Sequence, residues 1–173
     1  MISTPMYPEG RTSYFTKWAG GILKFFKRST GVEFYAIDGN TGSAFGTGQA
    51  RNLRTRFTLA QVNAGATVLA ARAGYKYRLI DYKLIAVGGN AAAGTSVDLA
   101  ATQGGNPALL VVAAQAGLTR STVVRDGDAT GAVLADGASY VQNDVNTGIT
   151  VAAVGTFTTA THFDVILTYA LEV

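Results

Sequence analysis

The sequence predicts an all-β fold, a single β-sandwich over residues 57–173 preceded by an extended N-terminal arm over residues 1–56. Three observations carry this expectation. Residues 163–173 place Phe163, Val165, Leu167, Tyr169, Leu171 and Val173 at odd positions and mostly polar types at even ones, the period of a half-buried strand. From Phe57 onward, short apolar runs are separated by glycine-bearing turns. No segment sustains the 3.6-residue period of an amphipathic helix. A chain of 173 residues is long enough for a two-layer core.

Within the arm, residues 21–28 and 32–37 read as two strands around the turn Ser29-Thr30-Gly31, a β-hairpin. Asp38-Gly39-Asn40-Thr41-Gly42 ends the second strand, and residues 43–52 lack periodicity and read as a linker. The sandwich strands are expected at 57–62, 66–70, 75–87, 95–101, 108–115, 118–124, 132–134, 149–154 and 161–172. Alanine-rich pieces at 91–93 and 113–116 have helical propensity, but flanking Gly, Val and Thr favour strand. A helical turn near 113–118 is the alternative there.

The long strand 75–87 carries a phase slip. Lys76 and Arg78 put charge on even positions, whereas Asp81 and Lys83 put it on odd ones. One face cannot keep both pairs in water unless a residue is inserted, so a β-bulge is expected near Leu79-Ile80.

Hydrophobic types make up 48% of the chain and charged types only 14%, well below the usual quarter. Ala, Gly and Thr stand in for the missing charge. Such a surface points to coverage by partners, with exposed Ala and Thr on strands as the plainer account. There are no cysteines, which removes disulfides, thiolate nucleophiles and Cys-based metal sites. The first residues lack the apolar run of a signal peptide, and no apolar run reaches 18 residues, so no membrane span is expected.

Charge is divided unevenly. Residues 1–56 hold eight basic and three acidic residues, a net +5, against −2 for the remainder. The same segment holds nine of the 17 aromatic residues and the only Trp. Trp18, Phe25, Phe26, Phe34 and Tyr35 are therefore candidate buried anchors onto a partner, with Lys24, Lys27, Arg28, Arg51, Arg54 and Arg56 as the accompanying cations. The alternative is that Phe25, Phe26, Phe34 and Tyr35 fill the bottom of the main core. Basic patches among rings suit phosphate backbones and stacked bases, or an acidic protein surface. The cations are few and the remainder is slightly acidic, which favours a protein partner over nucleic acid.

Catalytic constellations are scarce. His162 is the only histidine, two residues from Asp164 on the same strand face, and reads as a surface or interface residue paired to a neighbour. Ser121 and Ser139 lack a nucleophile-elbow context. Asp126-Gly127-Asp128, with Asp136 and Asp144, lacks the spacing of an EF-hand and reads as turn chemistry. The glycine clusters lack the Lys-Ser/Thr of a phosphate loop. No enzyme activity, cofactor or metal is expected. In the Gly137–Gly148 loop, Tyr140, Asn143 and Asp144 are the candidates for a shallow surface recognition site.

Thr67-Val68-Leu69, Gly74-Tyr75-Lys76-Tyr77-Arg78-Leu79-Ile80-Asp81 and Ile85-Ala86-Val87-Gly88-Gly89 resemble the opening of a β-rich virion protein of tailed bacteriophages. The resemblance continues through residues 95–99, 118–125, 131–139 and 160–165, covering most of 60–170 with structural strings and no catalytic signature. It implies a capsid decoration or cement protein with a jelly-roll-like domain, a homotrimer bound to the major capsid protein. Its location would be the outer capsid surface of the virion, after synthesis in the host cytoplasm. The arm lies outside the matched strings. The alternative reading is a receptor- or glycan-binding module of a head fibre or tail structure, for which the Tyr140, Asn143 and Asp144 loop is the feature to watch.

Overall fold

The computed structural model of the chain describes residues 14–19, 22–27, 33–38, 44–46, 49–120, 122–128, 130–132 and 140–173. It is all-β and divides into two compact units, residues 1–49 and 50–173.

The first unit holds a four-stranded antiparallel meander. Its strands are β1 (Tyr14–Ala19), β2 (Ile22–Lys27), β3 (Glu33–Asp38) and β4 (Ala44–Gly46), in that spatial order. The expected hairpin is present as β2 and β3, with Leu23 opposite Ile37. A strand is added on each side of it, so the arm carries a sheet rather than one hairpin. β4 falls in the stretch expected to be a linker. The Ser29-Thr30-Gly31 turn lies outside the described residues.

The second unit opens with β5 (Ala50–Thr58), which pairs along its whole length with the last strand, β13 (His162–Glu172). Arg51, Arg54 and Arg56 therefore belong to the sandwich. Drawing the boundary at Gln49 lowers the net charge of the first part from +5 to +2 and leaves the second at +1.

Thr58 ends β5 and caps a six-residue helix, α1 (Leu59–Ala64), where a strand was expected through residue 62. The cause is a capping box: the Thr58 hydroxyl accepts from the Gln61 N–H, and the Gln61 side chain accepts from the Thr58 N–H. The remaining strands are β6 (Ala66–Leu69), β7 (Lys76–Val87), β8 (Ser96–Gln103), β9 (Asn106–Ala114), β10 (Val123–Arg125), β11 (Gly131–Ala132) and β12 (Ile149–Val154). A 3-10 turn over Gln115–Gly117 realises the helical alternative near 113–118.

These strands form two antiparallel sheets in a sandwich-like arrangement, a four-stranded one ordered β10-β7-β13-β5 and a five-stranded one ordered β11-β9-β8-β12-β6. The core comes from their alternating inward positions, including Tyr82, Leu84, Val97, Leu99, Val151, Phe163, Val165 and Leu167. Phe157 and Phe163 meet edge to face, with centroids 5.6 Å apart. β8 and β9 are joined by Gly104-Gly105, both at positive φ, as a two-residue primed hairpin turn requires.

The bulge is where the charge pattern placed it. Thr168 of β13 faces Asp81, but the next residue, Tyr169, faces Leu79, leaving Ile80 as the extra residue of β7. Tyr77 and Leu79 are buried before it, and Tyr82, Leu84 and Ala86 after it. Lys76, Arg78, Asp81 and Lys83 can thus all face outward.

Candidate functional site

β5 reads Ala-Arg-Asn-Leu-Arg-Thr-Arg-Phe-Thr. Its alternation sends Leu53, Thr55 and Phe57 toward the core and Asn52, Arg54 and Arg56 outward. The antiparallel register with β13 sets Arg56 directly opposite Asp164 and Arg54 opposite Ile166, one diagonal step away. Both guanidinium groups converge on the one carboxylate. Arg56 grips it with two bonds, Nε to Oδ1 at 2.6 Å and Nη2 to Oδ2 at 3.0 Å, and Arg54 Nη2 donates to Oδ2 at 2.5 Å.

Asp164 is an even-face residue whose side chain is only 2% exposed, while those of Arg54 and Arg56 are 63% and 52% exposed. The hydrogen bond from Arg56, reinforced by Arg54 and opposed by burial, lowers the Asp164 carboxyl to about 2. The same bond raises the Arg56 guanidinium. The result is a pair of exposed cations fixed by a buried anion, with one positive charge in excess. The sequence linked Asp164 to His162 instead, but the His162 ring approaches the Thr161 hydroxyl at 3.0 Å while Asp164 is taken by the arginines. The missed signal was the matching two-residue spacing of Arg54 and Arg56, which becomes meaningful only once β5 is paired with β13.

The two sheets differ sharply in charge. Strand residues of the four-stranded sheet include ten Lys, Arg, Asp or Glu side chains; those of the five-stranded sheet include one, Asp98. On the first, Arg78 pairs with Glu172, and Lys83 with Asp81 at 3.4 Å. The outward positions of the second are Ser96, Asp98 and Ala100 of β8, flanked by Leu109, Val112 and Ala114 of β9 and by Thr150, Ala152 and Val154 of β12. Asp98 is buried among them, its Oδ1 without a hydrogen-bond partner. Burial raises its carboxyl, with a bond to Ser96 acting the other way.

The loop residues singled out for surface recognition are engaged within the chain. Asn143 is buried; its N–H donates to the Tyr77 carbonyl, and its side-chain oxygen lies 3.4 Å from Gln103 Nε2. The Asp144 carboxylate accepts from the Gly104 and Gly105 N–H groups at 2.9 and 2.8 Å, holding the β8–β9 turn. Tyr140 donates its hydroxyl to Asp126. Its phenol is raised by burial and by that bond, and Tyr82, 1% exposed, is raised to about 12 by burial and the nearby Asp126.

Of the arm candidates, Phe25 and Phe26 are half-buried neighbours on β2, on opposite faces of its sheet. Arg28 and the side chains of Trp18, Lys24, Lys27, Phe34 and Tyr35 lie outside the described residues, as do Ser121, Asp136 and Ser139. Among the described residues no group of His, Asp and Glu is placed to hold a metal ion, and no helix is long and apolar enough to cross a membrane. Comparison with known proteins finds no matching family model, curated protein or solved structure.

Proposed function

We propose that the chain is a non-enzymatic structural virion protein that binds the outer surface of a bacteriophage capsid as a decoration or cement protein. The major capsid protein is its partner and a homotrimer its working form. The observation that carries this reading is the contrast between the two sheets. A face of small apolar and hydroxylated side chains, with a buried carboxylate one of whose oxygens has no hydrogen-bond partner, suits contact with protein rather than water. The opposite sheet is laced with ion pairs suited to solvent or to a charged partner. The chain's path, which passes from sheet to sheet between β5 and β8, supports a jelly-roll-like description, and the strings resembling phage virion proteins lie within this unit.

In this reading the rings of the first unit are the buried anchors and the arginines of β5 set approach and orientation. Truncating a ring at an interface hot spot commonly costs about 2 kcal/mol or more, against about 0–1 kcal/mol for an exposed ion pair. The alternative of a glycan-binding loop is weakened by Asn143, which is buried, and by Asp144, whose carboxylate is spent on the Gly104 and Gly105 N–H groups.

The test is to add full-length protein to purified particles that lack it and to measure occupancy and heat resistance of the shell. Saturable binding at symmetry-related positions and a higher disruption temperature are expected. Absence of binding at physiological salt would sink the reading.

A further inference from the structure

We propose that the open edge of β5 is a strand-addition site for an extended acidic segment of another protein. Four observations meet at this edge. Among the described residues β5 has one strand neighbour, β13, and ends the four-stranded sheet. Its ladder runs for nine residues without a register shift. The sheet has one strand fewer than the five-stranded sheet with which it forms the sandwich. Leu53 and Thr55 are only half-buried, whereas Leu167 and Val165, opposite them on β13, are fully buried. A strand laid beyond β5 would complete that cover.

The register identifies which backbone groups are offered. The Leu59 N–H donates to the Thr161 carbonyl at 3.1 Å, continuing the register in which Phe57 faces Phe163. Hydrogen-bonded pairs recur at every second residue of an antiparallel ladder. Residues 53, 55 and 57 therefore bond toward β13, and Asn52, Arg54 and Arg56 direct their N–H and C=O groups outward. Thr58, the next of that parity, has its N–H taken by Gln61 Oε1 at 2.8 Å, which closes the open stretch.

The same three residues carry the outward side chains, so backbone and side-chain recognition coincide. Two guanidinium groups present ten N–H donors, of which three bonds go to Asp164. They are held in place before any ligand arrives and retain one net positive charge. An incoming strand with carboxylates at alternate positions would set them beside Arg54 and Arg56 on the outer face while pairing its backbone with the edge. A second copy of β5 would instead bring arginine against arginine, and charge on exposed edge strands is a common guard against self-pairing. The inference does not depend on the partner being a capsid.

The probe is a synthetic nine-residue peptide alternating Glu with Val or Thr, and its control replaces each Glu with Lys. Amide exchange is followed on the full chain. With saturating Glu peptide, the Asn52, Arg54 and Arg56 amides should slow at least tenfold; with the Lys peptide they should not. Asn52→Pro removes one outward donor, and with it the side-chain bond Asn52 accepts from Thr168, while keeping both arginines and the backbone bonds to β13, and should weaken Glu-peptide binding at least tenfold. If that variant does not fold, exchange on the unaltered chain decides alone. No slowing at the three amides, or equal slowing with the Lys peptide, overturns the proposal. So does slowing that grows with protein concentration without peptide, which would assign the edge to a second copy. Slowing produced by a single-stranded oligonucleotide but not by the Glu peptide would overturn it too.

Discussion

Arg56 and Asp164 face each other across β5 and β13, joined by two bonds from one guanidinium to one carboxylate, with Arg54 closing over the second oxygen. By the register they form a non-hydrogen-bonded pair, the type that brings opposing side chains closest. A carboxylate folded at about 2, against an ordinary value of 3.8, favours the folded state whenever it is ionised. That contribution is full above about pH 4 and is lost as pH falls through about 2. With both arginines more than half exposed, solvent screening holds it to about 1–2 kcal/mol. Urea unfolding between pH 2 and pH 6 should show this acid limb. Asp164→Asn should flatten it and lower stability at pH 7 by a similar amount. An unchanged limb would locate the acid sensitivity elsewhere.

Tyr82 supplies the opposite limb. Its phenol, buried and near Asp126, is raised to about 12 from an ordinary 10. A raised tyrosine favours the folded state below the unfolded value, and the advantage is lost as pH rises from about 10 through about 12. Absorbance titration of phenolate should show a delayed fraction that collapses to the ordinary value in denaturant. Tyr82→Phe should remove part of it. A single transition near 10 in the folded protein would contradict the burial of this ring.

Ile80 gives a test of register. Deleting it would leave Leu79 next to Asp81 and force the first half of β7 to turn over, exposing Tyr77 and Leu79 and burying Lys76 and Arg78. The cost should exceed about 3 kcal/mol, read as loss of a cooperative thermal transition. Ile80→Thr, which keeps the bulge at an exposed position, should change stability by less than about 1 kcal/mol.

That bulge was legible in the sequence because two charged pairs on opposite parities admit few other solutions. The last strand was legible for the same reason, since its odd positions are apolar without interruption. Thr58 to Gln61 was missed because apolar residues at 57, 59 and 62 fit either period, while the two-residue capping signature was short. The arginines were assigned to the arm, because nothing local says that residue 50 begins a strand whose partner lies more than 100 residues away. Asn143 and Asp144 looked like surface recognition residues because polar loop residues do. Only the fold shows that Asn143 is buried, with its N–H on the Tyr77 carbonyl of β7, and that Asp144 holds the β8–β9 turn. Asp144→Ala should accordingly cost about 1–3 kcal/mol of stability through the two N–H groups it releases.

Leu109 and Val154 are 44% and 46% exposed on the outer face of the five-stranded sheet, flanking Ser96, Asp98 and Ala100. If the homotrimer forms through this face, each is a place where a charge would be buried on assembly without a partner. A charge introduced there should cost roughly 2 kcal/mol, or about thirtyfold in association, and Leu109→Glu with Val154→Lys should abolish assembly at micromolar concentration. The unaltered chain should sediment as a species near three times 17.9 kDa, and the double variant near 17.9 kDa. Ile80→Lys places a new charge at a comparably exposed position, 41%, on the four-stranded sheet, and serves as the control. It should leave the sedimentation of the chain unchanged if the interface is on the five-stranded sheet. Dissociation by Ile80→Lys alone, with the double variant still assembled, would move the interface to the charged sheet. It would also leave the charge-poor face to be explained by the capsid surface itself.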